Sequence, residues 1–128
     1  MATPPKVLKL GILALLVLAA EPVSSWAGWL GFRNDVKESI IVQSSPVLKG
    51  GQVGRARPKT MEADEVAWES VLQPGNRLIR IYDKNKKLIY IKTVPVMGDL
   101  FFSIQLEPKT NNILLVPMKA PVQPPGQK

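Results

Sequence analysis

From residue 28 onward, hydrophobic and polar positions alternate or fall in short apolar runs broken by Pro, Gly, Asn or Asp, and no stretch sustains helical spacing. Alternation of period two is the mark of half-buried strands. The pattern predicts strands at 29–34, 39–45, 52–59, 65–71, 77–83, 87–94, 99–106 and 113–118. Between them lie turn signals: Asn34-Asp35, Gly50-Gly51, Glu62-Ala63-Asp64, Pro74-Gly75, Lys84-Asn85-Lys86, Met97-Gly98 and Asn111-Asn112. Eight short antiparallel strands at this spacing predict a small all-β domain, a sandwich or a partly closed barrel. No internal repeat is present.

The stretch RLIRIYDKNKKLIYIK fixes a hairpin, because loop length decides which side chains share a face. With Lys84-Asn85-Lys86 as the loop, Asp83 faces Lys87, Ile81 faces Ile89 and Ile79 faces Ile91, so four isoleucines point inward. One more loop residue would set Arg80 against Ile89 and mix charge into the apolar row. The outer face then carries Arg80 across from Tyr90, Tyr82 across from Leu88, and Lys92 beyond. That face is basic and aromatic, suited either to cross-strand stabilisation or to binding.

The same alternation sorts the remaining aromatics. In EVAWESV, Val66 and Trp68 share one face and Glu65 and Glu69 the other, which places Trp68 inward. In DLFFSIQL, Leu100, Phe102, Ile104 and Leu106 form the inner row and leave Phe101 outside with Ser103 and Gln105. Leu30 and Phe32 pair inward, so Trp29 faces out with Arg33. Trp29 and Phe101 are candidates for the rim of a sugar site or for a partner interface.

The N-terminal segment has a different pattern. Lys6 and Lys9 precede an apolar run at 10–20, and Glu21 and Pro22 break it ahead of Ser25-Trp26-Ala27. As a helix the run reaches about 16 Å, against a hydrocarbon core roughly 30 Å thick. Small residues at Ser25 and Ala27 fit a secretory signal cleaved after Ala27; an uncleaved interfacial anchor is the alternative reading, with Trp26 at the headgroups. No Cys lies near the cut to carry a lipid. The expected organisation is a signal peptide at 1–27, a β-domain at 28–118 and a disordered Pro-rich tail at 119–128. Export would deliver the chain to the periplasm or beyond the cell.

Removal of the leader leaves 101 of the 128 residues, with 15 basic and 9 acidic side chains, a net +6. One core of this length folds without staples, and the absence of Cys rules out disulfides. The charge favours solubility or acidic partners. Nucleic acid fits poorly with export.

The chain also has no His, so thiolate and imidazole metal sites, Ser–His–Asp triads, Cys–His pairs and histidine general bases are all unavailable. No P-loop, dinucleotide fingerprint or Asn-x-Ser/Thr site occurs. A carboxylate pair acting on a glycoside is the remaining catalytic option, from Glu65, Glu69, Asp83 and Asp99. Glu65 and Glu69 lie four apart on one strand, roughly 13 Å at about 3.3 Å per residue, beyond the separation of about 5–9.5 Å that glycosidases use. Glu62, Asp64 and Glu65 could offer oxygens to calcium but match no EF-hand spacing. Met61, Met97 and Met118 are the thioethers a copper(I) site would need. No catalytic residue, metal site or cofactor is expected.

Together WLGFRND at 29–35, EVAW at 65–68, LQPGN at 72–76, IYD at 81–83 and DLFFSIQ at 99–105 resemble uncharacterised short secreted β-rich proteins of planctomycete-type bacteria. The resemblance implies a secreted single β-domain and brings no catalytic residue with it. The sequence therefore favours a non-catalytic binding module of the cell envelope. Its partner would be an acidic polysaccharide or an envelope protein, met by Arg80, Tyr82, Tyr90, Lys92, Trp29 and Phe101. The alternatives are an assembly protein that pairs through exposed edge strands and, less favoured, a carboxylate-only glycoside hydrolase.

Overall fold

The computed structural model describes residues 28–125; the expected leader at 1–27 and the last three residues of the tail lie outside them. Eight strands form: β1 (Gly28–Asn34), β2 (Ile40–Pro46), β3 (Lys59–Met61), β4 (Val66–Val71), β5 (Gly75–Tyr82), β6 (Leu88–Val96), β7 (Leu100–Leu106) and β8 (Ile113–Pro117). They make two four-stranded sheets, ordered β4-β1-β7-β8 and β3-β2-β5-β6. The domain is all-β, as the alternation predicts, and neither sheet closes into a barrel. Residues 119–125 contain no helix or strand. Among the described residues no helix is long and apolar enough to cross a membrane.

Five of the six strand pairings are antiparallel, but β1 and β7 run parallel, with Leu30 beside Leu100 and Asn34 beside Ile104. This departs from the fully antiparallel expectation. The chain leaves β1 for the other sheet, so β7 can enter beside β1 in the same direction after a long crossover.

The core lies between the inner rows of the two sheets: Leu30 and Phe32 of β1, Phe102 and Ile104 of β7, Ile40 and Val42 of β2, Ile79 and Ile81 of β5. Phe32 and Phe102 stack there at 6.1 Å. Leu106, expected in this row, stands exposed at the end of β7.

The hairpin loop is the expected one. Asp83 Oδ1 accepts the N–H groups of Asn85 and Lys87 at 2.8 and 3.0 Å, and Lys86 takes the left-handed conformation, φ 68°. The register beyond it is corrected by a bulge: Tyr82 lies opposite Leu88, but Ile81 lies opposite Tyr90 and Ile79 opposite Lys92. Ile79 and Ile81 are 0% exposed, whereas Ile91 is 53% exposed on the outer side. An unbulged strand would turn Ile89 and Ile91 inward together with Thr93 and Pro95. The extra residue instead brings Val94 and Val96 into the core, both buried, and this exchange of rows favours the bulge.

The third predicted strand, 52–59, is also corrected. Val53 forms a single bridge to Val47, Gly54 N–H bonds the Pro46 carbonyl at 2.7 Å, the chain leaves the ladder over 55–58, and β3 spans only Lys59–Met61. Pro58 has no N–H for a ladder, and the Gln43 side chain bonds the Ala56 carbonyl at 2.9 Å in place of the missing pairing.

Asn34 links the sheets at one end of the open side. Fully buried, its Nδ2 donates to the carbonyls of Glu38, Met61 and Glu62 at 2.7, 3.1 and 3.2 Å, and its Oδ1 accepts the Val36 N–H at 2.9 Å.

Candidate functional site

The two long sides of the sandwich are built differently. Where β6 meets β8, Tyr90 packs against the core from the inner row of β6; burial raises its hydroxyl pKa and the Leu115 backbone opposes the rise. Where β3 faces β4, the sheets leave a cleft of about 690 Å³. Its inner walls are Phe32, Val42, Met61 and Ala67; Leu48 and Leu72 stand at the mouth.

The cleft has an ionic floor that alternation conceals. Arg77 shares its row with Ile79 and Ile81, and its side chain is only 11% exposed. Its Nη2 donates to Glu69 Oε2 at 2.6 Å and to the Ser44 carbonyl at 2.9 Å, and its Nε to Ser44 Oγ at 2.9 Å. The pair joins β4 of one sheet to β5 of the other. Burial raises the Glu69 carboxyl above its usual range, while the Arg77 charge and a Ser44 hydrogen bond pull it back. Above this floor, Arg55 and Arg57 line the detached segment and are exposed, and neither enters an ion pair among the described residues. Lys59 beside them pairs with Glu65 at 3.7 Å.

The structure separates the residues expected to form one basic aromatic face. Arg80 and Tyr82 stay on the outer side of β5, opposite Gln43 and Ile41 of β2. The bulge carries Tyr90 and Lys92 to the inner side of β6, opposite Ile81 and Ile79.

Trp68 is corrected in the other direction. Ala67, Glu69 and Val71 form the inner row of β4, opposite Phe32, Leu30 and Gly28, so Trp68 lies on the outer face opposite Gly31. Its ring covers the place of the missing side chain: a Cβ on Gly31 would approach Trp68 at 2.5 Å and Phe101 at 2.6 Å. Phe101 is on the outer face as expected, but Trp68 packs against it at 5.2 Å and it is only 4% exposed, so its ring is not free to stack on a sugar. Trp29 also faces out, half-buried, and its backbone N–H donates to Asp99 Oδ1 at 2.8 Å. Beside this aromatic layer, Arg33 Nε bonds both oxygens of Asp35 at 2.9 Å, and Ser103 donates to the same carboxylate.

The carboxylates considered for catalysis are dispersed. Asp83 holds the hairpin loop, Asp99 the Trp29 backbone N–H, and Glu65 Oε1 the Glu62 N–H at 2.9 Å; Glu69 alone of the four lines the cleft. Glu62, Asp64 and Glu65 form a turn with Asp64 at φ 66°, and no group of three or more acidic residues among those described is placed to hold a metal ion. Met61 is buried in the core, Met97 is exposed in a turn and Met118 touches Arg33 on the outer face, so they do not converge.

No protein-family model and no curated protein matches the chain. Among solved structures it is similar to a disulfide-locked mutant of intermedilysin determined with human CD59, with 14% identity over 72% of this chain and a TM-score of 0.44. A structure described as a trapped toxin gives 15% over 73% at 0.45, and pneumolysin 14% over 71% at 0.40. The chain spans about a quarter of the length of each, 23–24%.

Proposed function

We propose that the chain is an exported, non-catalytic binding domain of the cell envelope, and that its ligand enters the cleft between β3 and β4. One observation carries the reading: an apolar cavity of about 690 Å³ opens beneath two arginines without ion-pair partners among the described residues. Sites for small ligands have such a volume, apolar walls and a few polar groups that fix orientation. The basic apolar leader motif supports export. The dispersal of the carboxylates favours binding over catalysis. Assembly through strand edges is less well supported: of the four edge strands, β6 and β8 carry Pro95 and Pro117 and β3 is three residues long and follows Pro58, which leaves only β4 as an edge without proline.

The test is thermal unfolding of the exported protein with and without an envelope extract. A ligand that binds only the folded state raises the melting temperature. Ala67→Phe, which fills the wall, and Leu72→Glu, which places a charge at the 69% exposed mouth, should each abolish that rise. Leu72→Glu tests the cleft even if Ala67→Phe fails to fold. A rise that survives Leu72→Glu, or no rise with the unaltered protein, overturns the reading.

A further inference from the structure

We propose that the ligand of this cleft is a single aliphatic chain with one anionic headgroup, its chain between the sheets and its headgroup between Arg55 and Arg57. This rests on the cleft being the binding site. The polar groups of the floor satisfy one another, since Arg77 is held by Glu69 and Ser44 and its charge is balanced. The floor therefore offers no unmatched charge to a polar ligand; Phe32, Val42 and Met61, all buried, close the base of the cleft, and Ala67, Leu48 and Leu72 give it more accessible apolar surface. Ser70 and Gln73 also line the cleft, but its accessible surface is mostly apolar, so a sugar would bury more hydroxyls there than those two side chains can satisfy. An alkyl chain gains from every methylene removed from water.

The mouth selects the headgroup. Arg55 and Arg57 are two apart on the detached segment that forms one wall, both exposed, both within the cleft lining. Guanidinium forks bind carboxylate or phosphate oxygens in pairs. Lys59 completes the rim, although Glu65 already balances it. Over 55–58 the segment makes no ladder and is held at Ala56 by the Gln43 side chain, so it can adjust to a headgroup without breaking a sheet. Apolar depth and cationic mouth together specify an amphiphile.

The exported protein is titrated with decanoate, 1-decanol and inorganic phosphate, each below any aggregation threshold, and binding is followed by calorimetry. Decanoate should bind saturably at one site per chain, 1-decanol about tenfold more weakly or worse, and phosphate without saturation. Arg55→Gln with Arg57→Gln should weaken decanoate about tenfold and leave 1-decanol unchanged; both positions are exposed, so folding is undisturbed. Equal binding of decanoate and 1-decanol, insensitive to that double change, overturns the headgroup assignment. Phosphate binding as tightly as decanoate overturns the chain assignment. If decanoate fails to bind while Leu72→Glu still abolishes the stabilisation by envelope extract, the amphiphile is wrong and the cleft stands.

Discussion

The two sides of the sandwich share a core yet differ in what fills the gap between the sheets. On the β6/β8 side, Tyr90, Val94 and Val96 pack into the gap, and what remains is a smaller pocket of about 360 Å³ at the hairpin end, lined by Leu88, Ile89, Leu106 and Ile113. On the β3/β4 side the linking groups are polar, Asn34 at one end and Arg77–Glu69 at the floor, and the space between them stays open. The difference follows from strand length. β6 has nine residues and, with its bulge, supplies a continuous inner row; β3 has three and cannot. A short edge strand leaves unfilled volume, and the polar links hold the sheets at their spacing without filling it.

The largest expected effect tests the bulge on which the closed side depends. Ile81→Ala should cost about 2–5 kcal/mol, as buried isoleucine truncations do, and Ile91→Ala less than about 0.5 kcal/mol, as at a surface. Equal losses in denaturant titration would mean that β6 is unbulged and that the closed side is not packed as described.

Next comes the polar link of the open side. Asn34→Ala strands the buried Met61 carbonyl and Val36 N–H and removes a donor from the part-buried Glu38 and Glu62 carbonyls, of which Glu62 keeps the Glu65 N–H; each buried group left unsatisfied costs about 1–3 kcal/mol. With water reaching some of them, the net loss should be about 3 kcal/mol. Hydrogen exchange should place the new opening at β3 and the turn after it. Uniform loss of protection across both sheets would show that Asn34 supports the whole core and not this side.

Much of the frame was legible because period-two alternation names the inner row wherever one row is clearly apolar, as in β1, β5 and β7. It misled at Trp68 and Ile91 for two physical reasons. In β4 both rows mix apolar and polar residues, and the choice is made by Gly31 on the neighbouring strand, which leaves room for an indole on the outer face. In β6 the choice is made by a bulge that the loop does not encode. The cleft was hidden for a related reason: Arg77 sits in an apolar row, and a buried arginine requires a buried acid. Glu69, read as an exposed residue opposite Trp68, was the signal. Arg55 and Arg57 fell inside an expected strand that Pro58 and the glycines prevent.

A third, smaller effect belongs to the closed side. Tyr90→Phe keeps the ring and removes only the hydroxyl beside the Leu115 backbone, so it should cost no more than about 1 kcal/mol. Decanoate binding should not change, since Tyr90 lies across the core from the cleft. A loss of ligand affinity as large as that from Arg55→Gln with Arg57→Gln would mean that the two sides are coupled and that the contrast drawn between them fails.

The smallest effect is a slope and concerns the floor of the open side. Burial is the largest influence on Glu69 and raises its carboxyl above the usual 4.5; Arg77 and Ser44 oppose it. The folded state therefore holds this proton more tightly than the unfolded chain does. The stabilisation from that preference is complete below pH 4.5 and is lost as pH rises through the raised folded value. Glu69→Gln has no such proton, so the stability of the unaltered protein minus that of the variant should fall with rising pH in a window beginning near 4.5 and level off above it. The opposite slope, a difference that grows with pH, would show that the Arg77 attraction outweighs desolvation. Glu69 would then behave as an ordinary ion-pair partner open to water, and the floor of the cleft would be wetter than the apolar walls above it imply.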